Sequence, residues 1–273
     1  MDYAALVDEI EAALAAAVVE DWLERADQPG LRWDGSIGAT VVLWLAARIG
    51  ERRPEIPVPT AVFVDHGMHF EAVPDFVEAV ADAWDVPLVV ARDDALAPEA
   101  GPEATVPVSS LDPDSRRRLD DADIADDTLS LDPRTPSGRH LLQTAPLRDA
   151  IADEGLDAVF EGRISPDGTD PDDREVVDRR REPVRVYPLA HLTEHDVWRI
   201  AIEADLPVNP VYGRGHRTVR SRLHADRPGD EPAWEQVLEG DDEGEAGETE
   251  DDESSRPGDD GPSLMDRLRE AGS

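Results

Sequence analysis

The sequence contains no cysteine and no lysine, and both absences restrict its chemistry. Without cysteine there is no disulfide, no thiolate metal ligand and no cysteine nucleophile. Without lysine all 27 basic residues are arginines, and the 63 aspartates and glutamates bring the formal net charge to −36 at pH 7. No apolar run approaches the ~18 residues of a membrane span, and the acidic first turns are unlike a signal peptide. We therefore expect a soluble, cytoplasmic protein.

The negative charge is spread over the whole chain. Residues 226–273 carry 18 acids and 4 arginines, a net of −14, which leaves −22 for residues 1–225. Such a charge repels nucleic-acid backbones and anionic lipid, so neither a nucleic acid nor a membrane is an expected partner. Screening shortens to about 3 Å at 1 M salt, and the acidic, lysine-free composition resembles that of haloarchaeal cytoplasmic proteins. An acidic protein from a GC-rich genome is the alternative.

Helical and strand patterns alternate along the chain. Helices are predicted over 3–25, 40–49, 74–84, 144–154 and 193–204, and strands over 58–64, 87–91, 156–160 and 184–187. The last of these helices begins with a capping box, Thr193 to Asp196. This alternation predicts an α/β fold, a Rossmann-like parallel sheet with helices on both faces.

Composition divides the chain into three regions. Residues 1–29 form an N-terminal helix, residues 30–225 a core domain, and residues 226–273 an acidic tail that we expect to be mostly disordered, with one helix over 263–271. Inside the domain, residues 93–137 lose all periodicity and are rich in Pro, Asp, Ser and Glu. We expect a polar insertion there without regular structure, either mobile over the ligand face or disordered.

Ligands of such sheets bind beyond the carboxyl ends of the strands. Three polar or glycine-containing segments fall at these ends: residues 34–40, 65–71 and 161–167. Their convergence is the first indication of a functional site.

Three longer stretches carry motifs. The first is an apolar strand followed by Asp-His-Gly-Met-His-Phe at 65–70, and the second runs from 141 to 162. The third begins at Arg185, contains Thr-Glu-His-Asp-Val-Trp and Pro-Val-Asn-Pro-Val-Tyr, and ends in Gly-His-Arg-Thr at 215–218. These stretches resemble the PAPS reductase and sulfate adenylyltransferase small-subunit family, whose patterns include Asp-Thr-Gly-x-x-Phe and Pro-x-Asn-Pro-Leu-Tyr. The resemblance covers residues 30–221 apart from the insertion.

The resemblance implies an adenine nucleotide α-hydrolase-like fold that binds ATP, APS or PAPS. In the family a Ser-Gly-Gly-x-Asp-Ser loop holds the ligand's phosphate or sulfate oxygens, because small residues admit an anion to the backbone N–H groups of a helix N-terminus. The implied nucleotide-binding residues are Gly35, Ser36, Gly38, Thr40, Asp65, Gly67, Gly162, Arg163 and Arg217. No resident cofactor and no metal site are expected, since Mg²⁺ would arrive with the nucleotide.

This sequence departs from the family pattern at three places. In the loop, Ala39 replaces the family's acid and Ile37 replaces its second glycine. Arg163 stands where two arginines and an Asp-Glu pair are usual. Arg220-Ser221 stands where reductases carry Gly-Cys. Reduction through a cysteine adduct is therefore excluded, and no catalytic residue is assigned. Nucleotidyl or sulfur-group transfer and a non-catalytic nucleotide-sensing or scaffold role both stay open. A weaker third hypothesis is an acidic tail that recruits basic proteins.

Several residues allow two interpretations. Asp65 either takes ribose hydroxyls or a metal, or caps the turn after its strand. His66 and His69 lie near it, but a metal site would need a second pair of ligands. Arg217 is either a sulfate or phosphate contact or a surface arginine. The basic run at 179–185 binds an anionic ligand or partner, or pairs with nearby acids, which we favour. A protein partner or a homo-oligomer stays open.

Overall fold

The computed structural model describes residues 3–121, 124, 126–164, 175–219, 221–223 and 228–238 of the 273-residue chain. Its strands are β1 (Pro29–Arg32), β2 (Thr60–Val64), β3 (Leu88–Ala91), β4 (Thr105–Pro107), β5 (Thr128–Ser130), β6 (Ala158–Glu161), β7 (Val177–Asp178) and β8 (Val184–Val186). Its α-helices are α1 (Tyr3–Arg25), α2 (Ile37–Arg52), α3 (Ala72–Ala83), α4 (Pro113–Asp121), α5 (Pro136–Arg139), α6 (Ala145–Asp153), α7 (Glu194–Glu203), α8 (Pro210–Gly213) and α9 (Ala233–Leu238). A π-helical turn, His140–Thr144, joins α5 to α6.

Six strands form the central sheet in the order β3-β2-β1-β6-β8-β7. All neighbours pair in parallel except β7, which pairs antiparallel with β8 at one edge. Helices α2 and α3 pack on one face, and α6 contacts β2 and β3 on the other. The α/β fold with a mostly parallel sheet is thus confirmed, and so is the capping box that opens α7.

The larger core lies between the sheet and the helices α1, α2, α3 and α7. It contains the buried aromatic side chains of Trp33, Phe63, Phe160 and Trp198. Burying a large side chain of this kind stabilises a fold by roughly 2–3 kcal/mol. The sheet therefore forms a rigid base for the loops at the carboxyl ends of its strands.

The insertion at 93–137 differs from the expectation, because its described residues include regular elements. β4 and β5 form an antiparallel pair, and α4 lies between them in sequence. Leu119 of α4 and Leu129 of β5 share a small core with Leu141 and Leu142 of the π-helical turn. Strands of three residues are too short to show an alternating pattern, which is why the sequence did not reveal them.

The packed domain also extends beyond residue 225. Helix α9 buries Trp234 and Val237 against the main core, and Trp234 lies 6.1 Å from Trp198 between ring centroids. The helix expected at 263–271 lies outside the described residues. In the described part of the chain, no helix combines the length and apolar character that crossing a bilayer would require.

Candidate functional site

The order of the strands in the sheet creates a crevice between β1 and β6. From β1 the chain continues to β2 and β3 on one side, and β6 and β8 lie on the other, so the loops after β1 and β6 diverge. In open α/β sheets this reversal point is where ligands bind. A cleft of about 810 Å³ opens there, which we call the crevice. Ser36, Gly38, Gly162, Arg163 and Arg217, five of the residues expected to bind nucleotide, line it.

The first turn of α2 forms one wall of the crevice. Ser36 caps the helix, and its hydroxyl accepts a hydrogen bond from the Ala39 N–H at 3.5 Å. The Ser36 N–H donates to Asp34 Oδ1 at 3.0 Å, and the Ile37 N–H donates to the Tyr212 hydroxyl at 3.1 Å. Among the N–H groups of residues 36–39, only that of Gly38 has no partner within the described residues. The turn therefore offers one free backbone donor to an anion.

The Asn-Pro-Val-Tyr segment of the third motif braces this turn from below. Asn209 Nδ2 donates to the Gly35 carbonyl at 3.4 Å, while its Oδ1 caps α8 by accepting from Val211 N–H. Gly35 has φ +75°, a left-handed backbone conformation that residues with a Cβ rarely adopt. Sequence reasoning used this motif for the family resemblance but missed that it supports the loop, since the partners lie 174 and 175 residues apart.

The loops after β1 and β6 are in direct backbone contact. A Cβ on Gly38 would lie 2.5 Å from the Gly162 carbonyl oxygen, and a Cβ on Gly162 would lie 2.1 Å from the Ala39 nitrogen. Neither distance is sterically allowed, so both positions require glycine for the loops to approach this closely. The close approach fixes the floor of the crevice.

The crevice carries charges of both signs. Arg163 is exposed and its guanidinium lies 5.2 Å from the ring centroid of Tyr187, while Arg217 forms an ion pair with Glu194. The arginines of the lining are Arg32, Arg139, Arg163 and Arg217, against the acids Asp34, Glu161 and Glu194. A lining in which arginines outnumber acids contrasts with a chain of net charge −36, and it suits an anionic ligand better than a cationic one.

Four other expected residues do not line the crevice. Gly35 and Thr40 are buried beneath it, and the Thr40 hydroxyl accepts a hydrogen bond from the buried Trp33 indole at 3.2 Å. Asp65 accepts a hydrogen bond from the Gly67 N–H at 2.9 Å and forms an ion pair with Arg92, as a turn-capping aspartate would. Gly67, with φ +74°, packs against the Ala97 backbone of the insertion.

Two histidines after β2 line the crevice and were not among the residues expected to bind nucleotide. The rings of His66 and His69 stack with centroids 3.7 Å apart, and both side chains are buried. His69 Nε2 lies 2.9 Å from the Val64 carbonyl oxygen, so Nε2 donates and Nδ1 is left as an acceptor without a partner among the described residues. Burial lowers the pKa of His69, against the opposing effects of Val64 and Asp65. His69 is thus neutral near pH 7, with a buried Nδ1 acceptor that no described residue uses.

Ser221 lies where reductases of the resembled family carry cysteine. It is buried, lines the crevice, and its hydroxyl donates to the Met68 carbonyl at 3.1 Å. The Arg222 N–H donates to the same carbonyl at 3.0 Å. In this chain the position therefore anchors the loop after β2.

The family is decided by the extent of the sequence match. The model of the phosphoadenosine phosphosulfate reductase domain matches residues 31–221, which contain every wall of the crevice. The chain belongs to the phosphoadenosine phosphosulfate reductase domain family.

Curated relatives match shorter parts of this family member. A sulfate adenylyltransferase subunit 2 of Maricaulis maris is 41% identical over 44 residues, 16% of this chain and 14% of the relative. One of Brucella anthropi is 28% identical over 30% of this chain and 35% of the relative. An adenosine 5'-phosphosulfate reductase of Burkholderia cepacia is 32% identical over 34% of this chain and 38% of the relative. The chain thus spans less than two fifths of each of these relatives.

Solved structures share the fold of this family member. A phosphoadenylyl-sulfate reductase from Candida auris, in a phosphate complex, superposes with a TM-score of 0.53 at 16% identity, covering 78% of this chain and 90% of that one. A Candida glabrata FMN adenylyltransferase in complex with FMN and an ATP analogue gives 0.55 at 13% identity, covering 86% and 74%. At these identities the likeness concerns the fold alone.

Proposed function

We propose that this phosphoadenosine phosphosulfate reductase family member binds an adenine nucleotide, ATP, APS or PAPS, in the crevice. One observation carries the proposal: the crevice lies at the reversal point of the sheet and takes residues from all three motif stretches. His69 represents the first stretch, Gly162 the second and Arg217 the third. The phosphate or sulfate groups would lie between the free Gly38 N–H and the guanidinium groups of Arg163 and Arg217, where charge-assisted hydrogen bonds are strongest.

The reaction that fits this site is nucleotidyl or sulfur-group transfer in sulfur metabolism. The chain's own contribution is to orient the ligand and neutralise its charge through the Gly38 N–H and the two arginines. Mg²⁺ would neutralise phosphate charge on arrival with the nucleotide. The chain itself has Ala39 in place of the loop acid, and the Asp34 carboxylate already accepts the Ser36 N–H, so these residues do not fit a resident magnesium site.

A non-catalytic role, as a nucleotide sensor or scaffold subunit, is the second candidate. This role is favoured because most backbone donors of the loop are already in use: the N–H groups of Ser36, Ile37 and Ala39 have acceptors within the protein. Asp34 also lies at the helix N-terminus, where its negative charge opposes a phosphate. A turn with one free donor stabilises a developing negative charge less than a fully open loop does.

The deciding experiment is calorimetric titration of ATP, APS and PAPS, with and without Mg²⁺, in concentrated KCl. Release of pyrophosphate or sulfate is then followed for each nucleotide that binds. Binding with turnover supports the enzyme, and binding without turnover supports the sensor. If none of the three nucleotides binds, the proposed function is wrong.

Arg217→Gln tests the position of the nucleotide. We expect about tenfold weaker binding from the loss of one charge-assisted hydrogen bond. Arg214→Gln is the matched control, because Arg214 is exposed, lies outside the crevice lining and carries the same charge. Equal effects of both substitutions would assign the binding to overall charge and not to the crevice.

We also propose that the protein works in the cytoplasm at high salt concentration, as its net charge of −36 suggests. Screening then reduces repulsion among its surface acids. The urea midpoint of unfolding should rise as KCl increases from 0.1 to about 2 M; a flat or falling midpoint would contradict the proposal.

A further inference from the structure

A second cleft, of about 980 Å³, lies on the α6 side of the sheet and concentrates positive charge. Seven arginines line it, against three acids. They come from β1 (Arg32), α5 (Arg139), α6 (Arg148) and the region of β7 and β8 (179–181 and Arg185). This local excess of arginine is larger than that of the crevice, and it contrasts with the chain's net charge of −36. We call this site the arginine cleft.

Strand register places part of this charge on one face of the sheet. Arg32 of β1 pairs with Glu161 of β6, and Val159 of β6 pairs with Arg185 of β8. Residues in register, or two apart on one strand, share a face. Val159 packs in the core on the α6 side, so Arg32, Glu161 and Arg185 lie on that side too.

Arg185 is a largely buried cation of the arginine cleft whose buried donors lack acceptors among the described residues. Its side chain is only 12% exposed, and its Nε lies 3.8 Å from Glu161 Oε1, too far for a hydrogen bond. Its buried Nε and Nη1 have no hydrogen-bond partner among the described residues. Arginine keeps its charge in proteins, and buried donors without acceptors are costly. An acceptor from a ligand would remove this cost.

The neighbouring arginines differ in how fully they are paired. Arg180 pairs with Glu175 and Asp178, and Arg181 pairs with Asp178, which confirms for these two the predicted pairing with nearby acids.

The other arginines of the cleft have weaker partners. Arg179 lies over the ring of Trp22, 5.6 Å from its centroid, and Arg148 reaches Asp149 only at 4.0 Å. Arg32 and Arg139 form no ion pair within the described part of the chain. The cleft thus retains donors that its own acids do not use.

We propose that the arginine cleft is a second binding site, which takes a phosphate or sulfate group. Planar guanidinium groups bind such tetrahedral oxyanions through paired N–H donors, and Arg185 is the buried anchor. Binding of a free anion here does not depend on nucleotide binding in the crevice, whereas binding of one end of a nucleotide rests on the proposed function. The two clefts share Arg32, Arg139, Gln143 and Glu161. The group is therefore either a free inorganic anion or one end of a nucleotide seated in the crevice.

The test uses the full chain in concentrated KCl, titrated with inorganic sulfate, inorganic phosphate, ATP and PAPS. Arg185→Gln and Arg148→Gln alter the arginine cleft alone, and Arg148 is half exposed, so its loss is tolerated by the fold. Arg217→Gln alters the crevice alone. Arg116→Gln, on the exposed surface of α4, controls for the change in net charge.

We expect Arg185→Gln to weaken sulfate or phosphate binding about tenfold to a hundredfold, and Arg148→Gln to weaken it less. Arg217→Gln and Arg116→Gln should leave it within about twofold. If the free anions bind and respond in this way, the source is a free anion. If only the nucleotides bind, and Arg185→Gln weakens PAPS or ATP binding while Arg116→Gln does not, the source is the end of the nucleotide.

Three results would overturn the proposal. If the wild-type protein binds none of the four probes, there is no such site. An equal loss of anion affinity in Arg116→Gln would mean that the change in net charge explains the weaker binding. Weaker anion binding in Arg217→Gln, with no change in Arg185→Gln or Arg148→Gln, would place the anion in the crevice alone. Nucleotide titrations of the same variants are read separately, so failure of this proposal is distinguishable from failure of the proposed function.

Discussion

The hydroxyl of Tyr212 accepts a hydrogen bond from the backbone N–H of Ile37 at 3.1 Å, and so joins α8 to the first turn of α2. Asn209, three residues earlier, holds the Gly35 carbonyl in the same loop. The end of the third motif therefore acts on the crevice by holding a loop in place, in addition to lining it. This gives the Asn-Pro-Val-Tyr segment a structural role that does not depend on catalysis.

Tyr212→Phe should lower the free energy of unfolding by about 1–2 kcal/mol, because it leaves the buried Ile37 N–H without an acceptor. Equilibrium unfolding in urea at fixed KCl measures the change. Tyr187→Phe is the matched control, since the Tyr187 hydroxyl makes no hydrogen bond with a described residue. A smaller loss for Tyr212→Phe than for Tyr187→Phe would mean that the bond does not support the loop.

Asp34→Asn should strengthen ATP binding in the absence of Mg²⁺ by about threefold to tenfold. The substitution removes a negative charge from the α2 N-terminus, where favourable charges are worth about 0.3–1 kcal/mol or more, and the amide oxygen can still accept the Ser36 N–H. Asp82→Asn on exposed α3 removes the same charge at a distance and should change affinity little. Weaker binding in Asp34→Asn would show that the carboxylate contacts the nucleotide directly.

Gly38→Asp should abolish nucleotide binding. Its Cβ would meet the Gly162 carbonyl at 2.5 Å, and its carboxylate would occupy the space of the ligand's negative groups. The forced separation of two backbones should also lower stability by about 1–3 kcal/mol, so binding is measured well below the melting temperature. Gly101→Asp, where the nearest heavy atom would be 3.8 Å away, is the control. Unchanged affinity in Gly38→Asp would exclude this loop as the anion site.

His69 should make stability depend on pH in a predictable direction. Burial lowers the pKa of the folded residue, so between about pH 6.5 and that lower value the unfolded chain binds a proton that the folded chain does not. Stability is therefore lost as the pH falls below about 6.5, by up to ~1.4 kcal/mol per pH unit. His69→Gln retains a donor for the Val64 carbonyl and should show a flatter profile. Parallel profiles for the two proteins between pH 5 and 7 would contradict this role.

Local patterns predicted several of the elements that position the site, although β1 was not among the predicted strands. The capping box at Thr193, the buried strand that ends at Val64 and the glycine-containing turn before α2 are each readable within a dozen residues. The parallel sheet followed from their alternation, since consecutive strands linked by helices pair in parallel.

Long-range and short elements were not predictable in the same way. The contacts from Asn209 and Tyr212 to the α2 loop depend on how distant segments pack, and no spacing in the sequence encodes them. Asp65 follows its strand as expected, yet its carboxylate pairs with Gly67 and Arg92 and does not line the crevice. Helix α9 was not predicted because its six residues make fewer than two helical turns, too few to show a repeating apolar pattern.

The adjacency of β1 and β6 has a consequence for biosynthesis. Arg32 of β1 pairs with Glu161 of β6, so the two walls of the crevice come from segments that are distant in sequence and are synthesised one well after the other. A nascent polypeptide emerging from the ribosome cannot complete the pocket until the sixth strand is released, and β8 must follow to cover its flank. Pairing of strands at such a separation in sequence slows folding. Fragments that end before residue 158 lack β6, so they should not bind nucleotide and should associate through the unpaired edge of β1.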